Sequence, residues 1–152
     1  MRARYLAVAA GLVTLALLLA GCTIVDGSVS QPAVVTVGQE ITITLVANAS
    51  QDHDTGRALG GVSLPDGWEV LSCTSTGANN YTFSSDAARA ALFTQHYPRP
   101  GYRWHVGVAD STLVHAGNST VTLRVRVGER VGVYRLDYWS GHEHFNKFPN
   151  DW

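Results

Sequence analysis

Lysine is almost missing from this chain, with Lys147 its sole example. Eleven basic residues stand against twelve acidic ones in 152, and no basic cluster forms anywhere. A nucleic-acid binder needs a positive stripe to displace counterions from phosphates, so that class of partner is not expected. Several catalytic signatures are absent as well. There is no G-x-S-x-G elbow, no H-E-x-x-H, no C-x-x-C and no phosphate loop. Twelve acidic residues always offer a carboxylate pair on paper, so their number says nothing about glycoside chemistry. Cysteine is scarce, with only Cys22 and Cys73.

Among what is present, the first 21 residues come first. "MRAR" is a short basic start, and "YLAVAAGLVTLALLLA" (Tyr5–Ala20) is an apolar run ending in small residues. That is the layout of a secretory signal peptide. The run is nearly as long as the roughly 20 residues of a membrane-spanning helix, and the next residues decide between the two. "LAGC" (Leu19–Cys22) resembles the lipobox of bacterial lipoproteins, with Cys22 at the motif's cysteine. The resemblance implies cleavage before Cys22, a diacylglycerol thioether on its sulfur, and an extracytoplasmic protein held on the cell membrane or outer membrane. Several acyl chains, each gaining about 0.8 kcal/mol per buried CH₂, anchor a protein where one chain does not. Thr23 follows where the inner-membrane retention signal of enteric-type bacteria places Asp.

Cleavage leaves 131 residues, with nine basic against twelve acidic and a net charge of −3. That is enough for one domain with its own core. Residues 22–31 are small and polar and read as a tether, with the domain at 32–152. With Cys22 acylated, Cys73 has no partner within the chain. A disulfide framework is thereby excluded, and Cys73 reads as a small buried hydrophobe or, alternatively, a reactive thiol.

Period-two alternation dominates the domain. It runs through "EITITLVANAS" (Glu40–Ser50), "STVTLRVRVG" (Ser119–Gly128) and "GVYRLDYW" (Gly132–Trp139), which predicts half-buried antiparallel strands. Shorter strands are predicted at Ala33–Val37, Gly61–Leu64, Trp68–Cys73, Tyr81–Phe83, Trp104–Val108 and Thr112–Val114. "SSDAARAALFTQHYPRPG" predicts one short helix, with Ser85 as N-cap and Pro98 and Pro100 as the stop, covering an open end of the sheets. The pattern is that of an all-β antiparallel sandwich.

"GVYRLDY" resembles the F strand of immunoglobulin-like domains. Tyr134 stands at the tyrosine-corner position, and Leu136 and Leu45 stand where the two sheet-linking cysteines would be. Trp68 falls where the core tryptophan of strand C would lie. The order "VGQEITITL … GVSLPDGWEV … STVTLRVRVG … VGVYRLDYWSG" is also similar to the immunoglobulin-like accessory modules of secreted bacterial proteins. Fold likeness of this kind is nearly silent on activity.

Four stretches carry candidate chemistry. Asn48, Asn80 and Asn118 open N-x-S/T triplets, read as chance in a Ser/Thr-rich strand protein. "QDHDTG" (Gln51–Gly56) starts like a calcium loop but lacks its third acid and distal glutamate. "PRPGYRW" gathers aromatics and arginines, so Tyr97, Tyr102 and Arg103 form a candidate binding surface for an envelope protein or glycan, with Trp104 read as core. In "GHEH", His142 and His144 share one face of an extended strand and are spaced to hold Zn or Cu. A third ligand would come from His53, His105, His115 or Asp151. Phe145, Phe148 and Trp152 read as apolar pins for the C-terminus. The resulting expectation is a non-catalytic binding or structural module at the cell envelope. The rival from another class is a metal-binding lipoprotein, and a hydrolase comes third.

Overall fold

The computed structural model describes residues 24–52, 54 and 56–143. Two four-stranded antiparallel sheets face each other. The first has the order β1-β2-β7-β4: β1 is Ile24–Ser30, β2 Glu40–Ala49, β7 Gly117–Arg126 and β4 Glu69–Gly77. The second has the order β5-β6-β3-β8, with β5 Phe83–Ser85, β6 Tyr102–Ala109, β3 Arg57–Pro65 and β8 Asp137–Glu143. One helix, α1 (Ala87–His96), joins β5 to β6. Among the described residues the fold is therefore the expected all-β sandwich with one helix.

Alternation sets the faces. Ile41 and Ile43 on β2 meet Leu123 and Val125 on β7 and, from the other sheet, Val62 and Leu64 on β3. Trp68 and Val127 close this end of the core. The outer face of the first sheet is polar, and Glu40, Arg126 and Glu69 lie side by side across β2, β7 and β4. Glu40 bonds both Arg124 and Arg126. Its hydrogen bond from Arg126 leads the causes that hold its carboxyl below the usual range. Asn48 and Asn118, two of the triplet asparagines, face each other across β2 and β7, joined by a 2.6 Å hydrogen bond.

Several boundaries differ from expectation. Residues read as tether contain β1, which pairs with β2 from Ile24↔Ala49 to Ser30↔Thr44. An edge strand gains its backbone hydrogen bonds whatever its side chains, and Ile24, Val25 and Val29 stand in no regular alternation that would have marked it. Ala33–Val37 and Thr112–Val114 form no strand. The last strand begins at Asp137 rather than Gly132, because Tyr134 hooks back, its hydroxyl donating to the Arg130 carbonyl at 2.8 Å. Trp68, expected to open a strand, stands one residue before β4, with its ring edge-on to Tyr134 at 5.6 Å.

The helix starts one residue later than predicted. Asp86, not Ser85, is the N-cap and accepts from the Arg89 N–H at 2.9 Å. Pro98 follows the C-cap Tyr97, and a proline there cannot continue the helix. Nor does α1 cover an end of the sandwich. It lies on the outer face of the second sheet, where the fully buried Phe93 packs against Trp104 (5.4 Å) and Trp139 (5.0 Å). Gly61 makes room for the two indoles: a Cβ there would sit 3.3 Å from Trp104 and 3.7 Å from Trp139.

Candidate functional site

The core does not fill the space between the sheets. One apolar cluster holds Ile41, Ile43, Val62, Leu64, Trp68, Leu123, Val125 and Val127. A second holds Ala49, Ala58, Tyr81, Ala109 and Val114. A cavity of about 350 Å³ is lined by members of both. Protein interiors pack like organic crystals, with few voids larger than a water molecule, so a space of this size between two sheets is unusual. Leu45, Ala47 and Val121 sit on central strands and point between the sheets, yet each is only half-buried.

Its origin is a row of minimal side chains. Register places Ser85, Gly107, Gly60 and Ser140 side by side across β5, β6, β3 and β8. They share the inward face with Val62, because opposed residues on antiparallel strands point the same way. A Cβ added at Gly60 would meet nothing within 4 Å. Consecutive glycines thus serve opposite faces, Gly61 admitting the indoles under α1 and Gly60 leaving the interior open.

A buried polar knot closes one wall. The Asn79 amide donates to the His115 carbonyl (2.8 Å) and Ser119 Oγ (3.1 Å). Its oxygen accepts from the His115 N–H (2.7 Å) and lies 2.6 Å from the Tyr81 hydroxyl, which also meets the Leu113 carbonyl. Ser75 Oγ donates to the Asn79 carbonyl at 2.9 Å. Burial, then the charge of Asp110, raises the Tyr81 pKa. Two further groups face the cavity. Burial pushes the Cys73 thiol up to about 12, so it stays protonated at neutral pH. Burial, then Arg103, lowers the pKa of His105, which favours its neutral imidazole.

The residues singled out from sequence lie mostly elsewhere. Cys22 and His144 fall outside the described residues, as do His53, Asp151 and the aromatics Phe145, Phe148 and Trp152. Tyr97 caps α1, with its ring against Phe93 and Trp104. Tyr102 is half-buried with the Arg99 guanidinium 3.6 Å above its ring. Arg103, on the opposite face of β6, pairs with Asp66 at 3.0 Å. The three therefore do not form one continuous surface. Trp104, read as core, lies outside both core clusters, half-buried under α1 on the outer face of the second sheet.

His142 sits on β8 opposite Ala58, half-buried. His105 stands four residues further along β3's register, opposite Val62, a rise of about 13 Å along the strand. His115 is exposed. Among the described residues no three His, Cys, Asp or Glu side chains converge. In the calcium-like loop, Asp52 accepts from the Ala116 N–H at 2.6 Å.

No family model matches this chain, and no curated protein matches it. One solved structure, AvmM, described as catalysing macrocyclization in alchivemycin A biosynthesis, overlays with a TM-score of 0.46 at 11% identity. The overlay covers 79% of this chain and 88% of that one. At that likeness no activity passes from one to the other. What fold and site together define is an antiparallel β-sandwich with an apolar chamber between its layers.

Proposed function

We propose that this chain is a lipid-anchored, extracytoplasmic and non-catalytic binding module at the cell envelope, with its ligand site in the inter-sheet cavity. The observation that carries the binding role is the Ser85–Gly107–Gly60–Ser140 row and the 350 Å³ it leaves open. Ligand cavities commonly fall between about 300 and 1,000 Å³, with apolar walls and few polar groups. The protonated Cys73 thiol supports a non-catalytic reading, since the thiolate is the nucleophile. The anchoring half rests on "LAGC" alone.

The immunoglobulin-like kinship belongs to this proposal too. β1-β2-β7-β4 can be laid on strands A-B-E-D, and β3–β8 on C–F. The Tyr134–Arg130 hydrogen bond supports it, and Leu45 and Leu136 both pack on the core. The β5–α1–β6 unit departs from that order. With β2 paired to β7, β3 to β6 and Thr74 bridged to Thr82, the strands nest as in a jelly roll.

Cys22→Ala is expected to move the chain from the membrane pellet to the soluble fraction, and an unchanged pellet would end the anchoring proposal. Screening small molecules by saturation-transfer NMR should give hits that Gly60→Phe abolishes. Hits indifferent to that change would place the ligand elsewhere, and a screen without hits would favour a purely structural role.

A further inference from the structure

We infer that the cavity selects a neutral, largely apolar molecule of about two rings that carries one carbonyl or hydroxyl oxygen, received by the His105 imidazole. This rests on the binding reading above and goes on to name the ligand's chemistry.

Size comes first. A dry cavity of about 150 Å³ lined by Leu, Ile and Phe takes benzene, so about 350 Å³ suits roughly twice that body. Charge comes next. Among the described residues no lysine or arginine lines the cavity, and the one acidic liner, Glu69, already bonds Arg126 at 3.0 Å. A carboxylate or phosphate ligand would find no counter-charge, and burying an unpaired ion is strongly unfavourable. Neutral ligands remain.

Polarity gives the third constraint. Most polar liners are already engaged. Tyr81 and Asn79 bond each other, Ser75 bonds Asn79 and Tyr81, Ser119 bonds Asn79, and the Tyr138 hydroxyl bonds Gln31. His105 differs. It lines the cavity half-buried, and its ring makes no hydrogen bond among the described residues. Standing opposite Val62, it is one position along the inward face from the Gly60 opening. A neutral imidazole donates from one nitrogen and accepts at the other, so it serves either a carbonyl or a hydroxyl.

The test uses three molecules of matched shape: 2-acetylnaphthalene, 2-isopropylnaphthalene and 2-naphthoate. Binding to the full chain in bilayer nanodiscs is measured by calorimetry, with empty nanodiscs as the partition blank. The ketone should bind about tenfold more tightly than the hydrocarbon, the worth of one net hydrogen bond, and the carboxylate weakest of all. His105→Phe should erase the ketone's advantage and keep the hydrocarbon's affinity, while His105→Gln, still a donor, should retain the advantage. Gly60→Phe, or Gly60→Leu if the first fails to fold, should abolish all binding. A carboxylate that binds tightest, or a ketone preference surviving His105→Phe, overturns the inference and leaves the binding reading standing. If none of the three binds, or if Gly60→Phe and Gly60→Leu change nothing, the binding reading itself falls.

Discussion

Phe93→Ala should lower the unfolding free energy by about 3–5 kcal/mol, the range for removing a large buried ring. Phe93 is fully buried and is the contact through which α1 holds the second sheet. Its ring meets Trp104, Trp139 and Tyr97 at centroid distances of 5.4, 5.0 and 6.0 Å. The gap left by alanine cannot close readily, because both indoles are fixed from below by the β3 backbone at Gly61. Urea denaturation followed by tryptophan fluorescence reads the loss directly. A shift within about 0.5 kcal/mol, the size of an ordinary surface change, would show that α1 is not held by this ring.

Asn79→Leu is expected to cost about 3 kcal/mol or more, although leucine is close to asparagine in size. Each buried donor or acceptor left without a partner costs roughly 1–3 kcal/mol. This change orphans the His115 N–H and carbonyl and removes a partner of Ser119. Tyr81 keeps only the Leu113 carbonyl. The knot ties β4, β7 and the 110–116 segment together, so local opening should spread to β5. Amide hydrogen exchange would show this as lost protection at Ser75, whose N–H donates to the Tyr81 carbonyl at 2.9 Å. Unchanged exchange there, with unchanged stability, would sink the idea that the knot supports the cavity wall.

How much of this was legible depends on the kind of signal. β2 and β7 announced themselves because apolar and polar residues alternate along them, although the burial follows that alternation strictly only at 40–43 and 123–126. β1 gave no such sign, since its pairing rests on backbone groups. The helix was visible in its alanines, but Ser85 is taken up by β5, where it pairs with Gly107, and the next residue, Asp86, caps the helix. "STGANN" read as a turn, and nothing local marks Asn79 as the hub of contacts 36 and 40 residues away. The clearest missed signal was "LGGV" inside a strand. Glycine there weakens pairing and commonly marks close approach of a ligand or another chain segment. Only register shows that Gly60 and Gly107 lie side by side. The aromatic–arginine stretch looked like one patch because it is continuous in sequence, but alternation along β6 sends Tyr102 and Arg103 to opposite faces.

β1 begins at Ile24, two residues beyond Cys22. Two extended residues reach at most about 7 Å, so an acylated Cys22 would leave the sandwich almost no leash. The pole where Ile24 pairs with Ala49 would then rest on the lipid headgroups. The far pole, where Val131 and Val133 stand fully exposed, would point outward into the envelope space. A body moored so closely would have a fixed up and down.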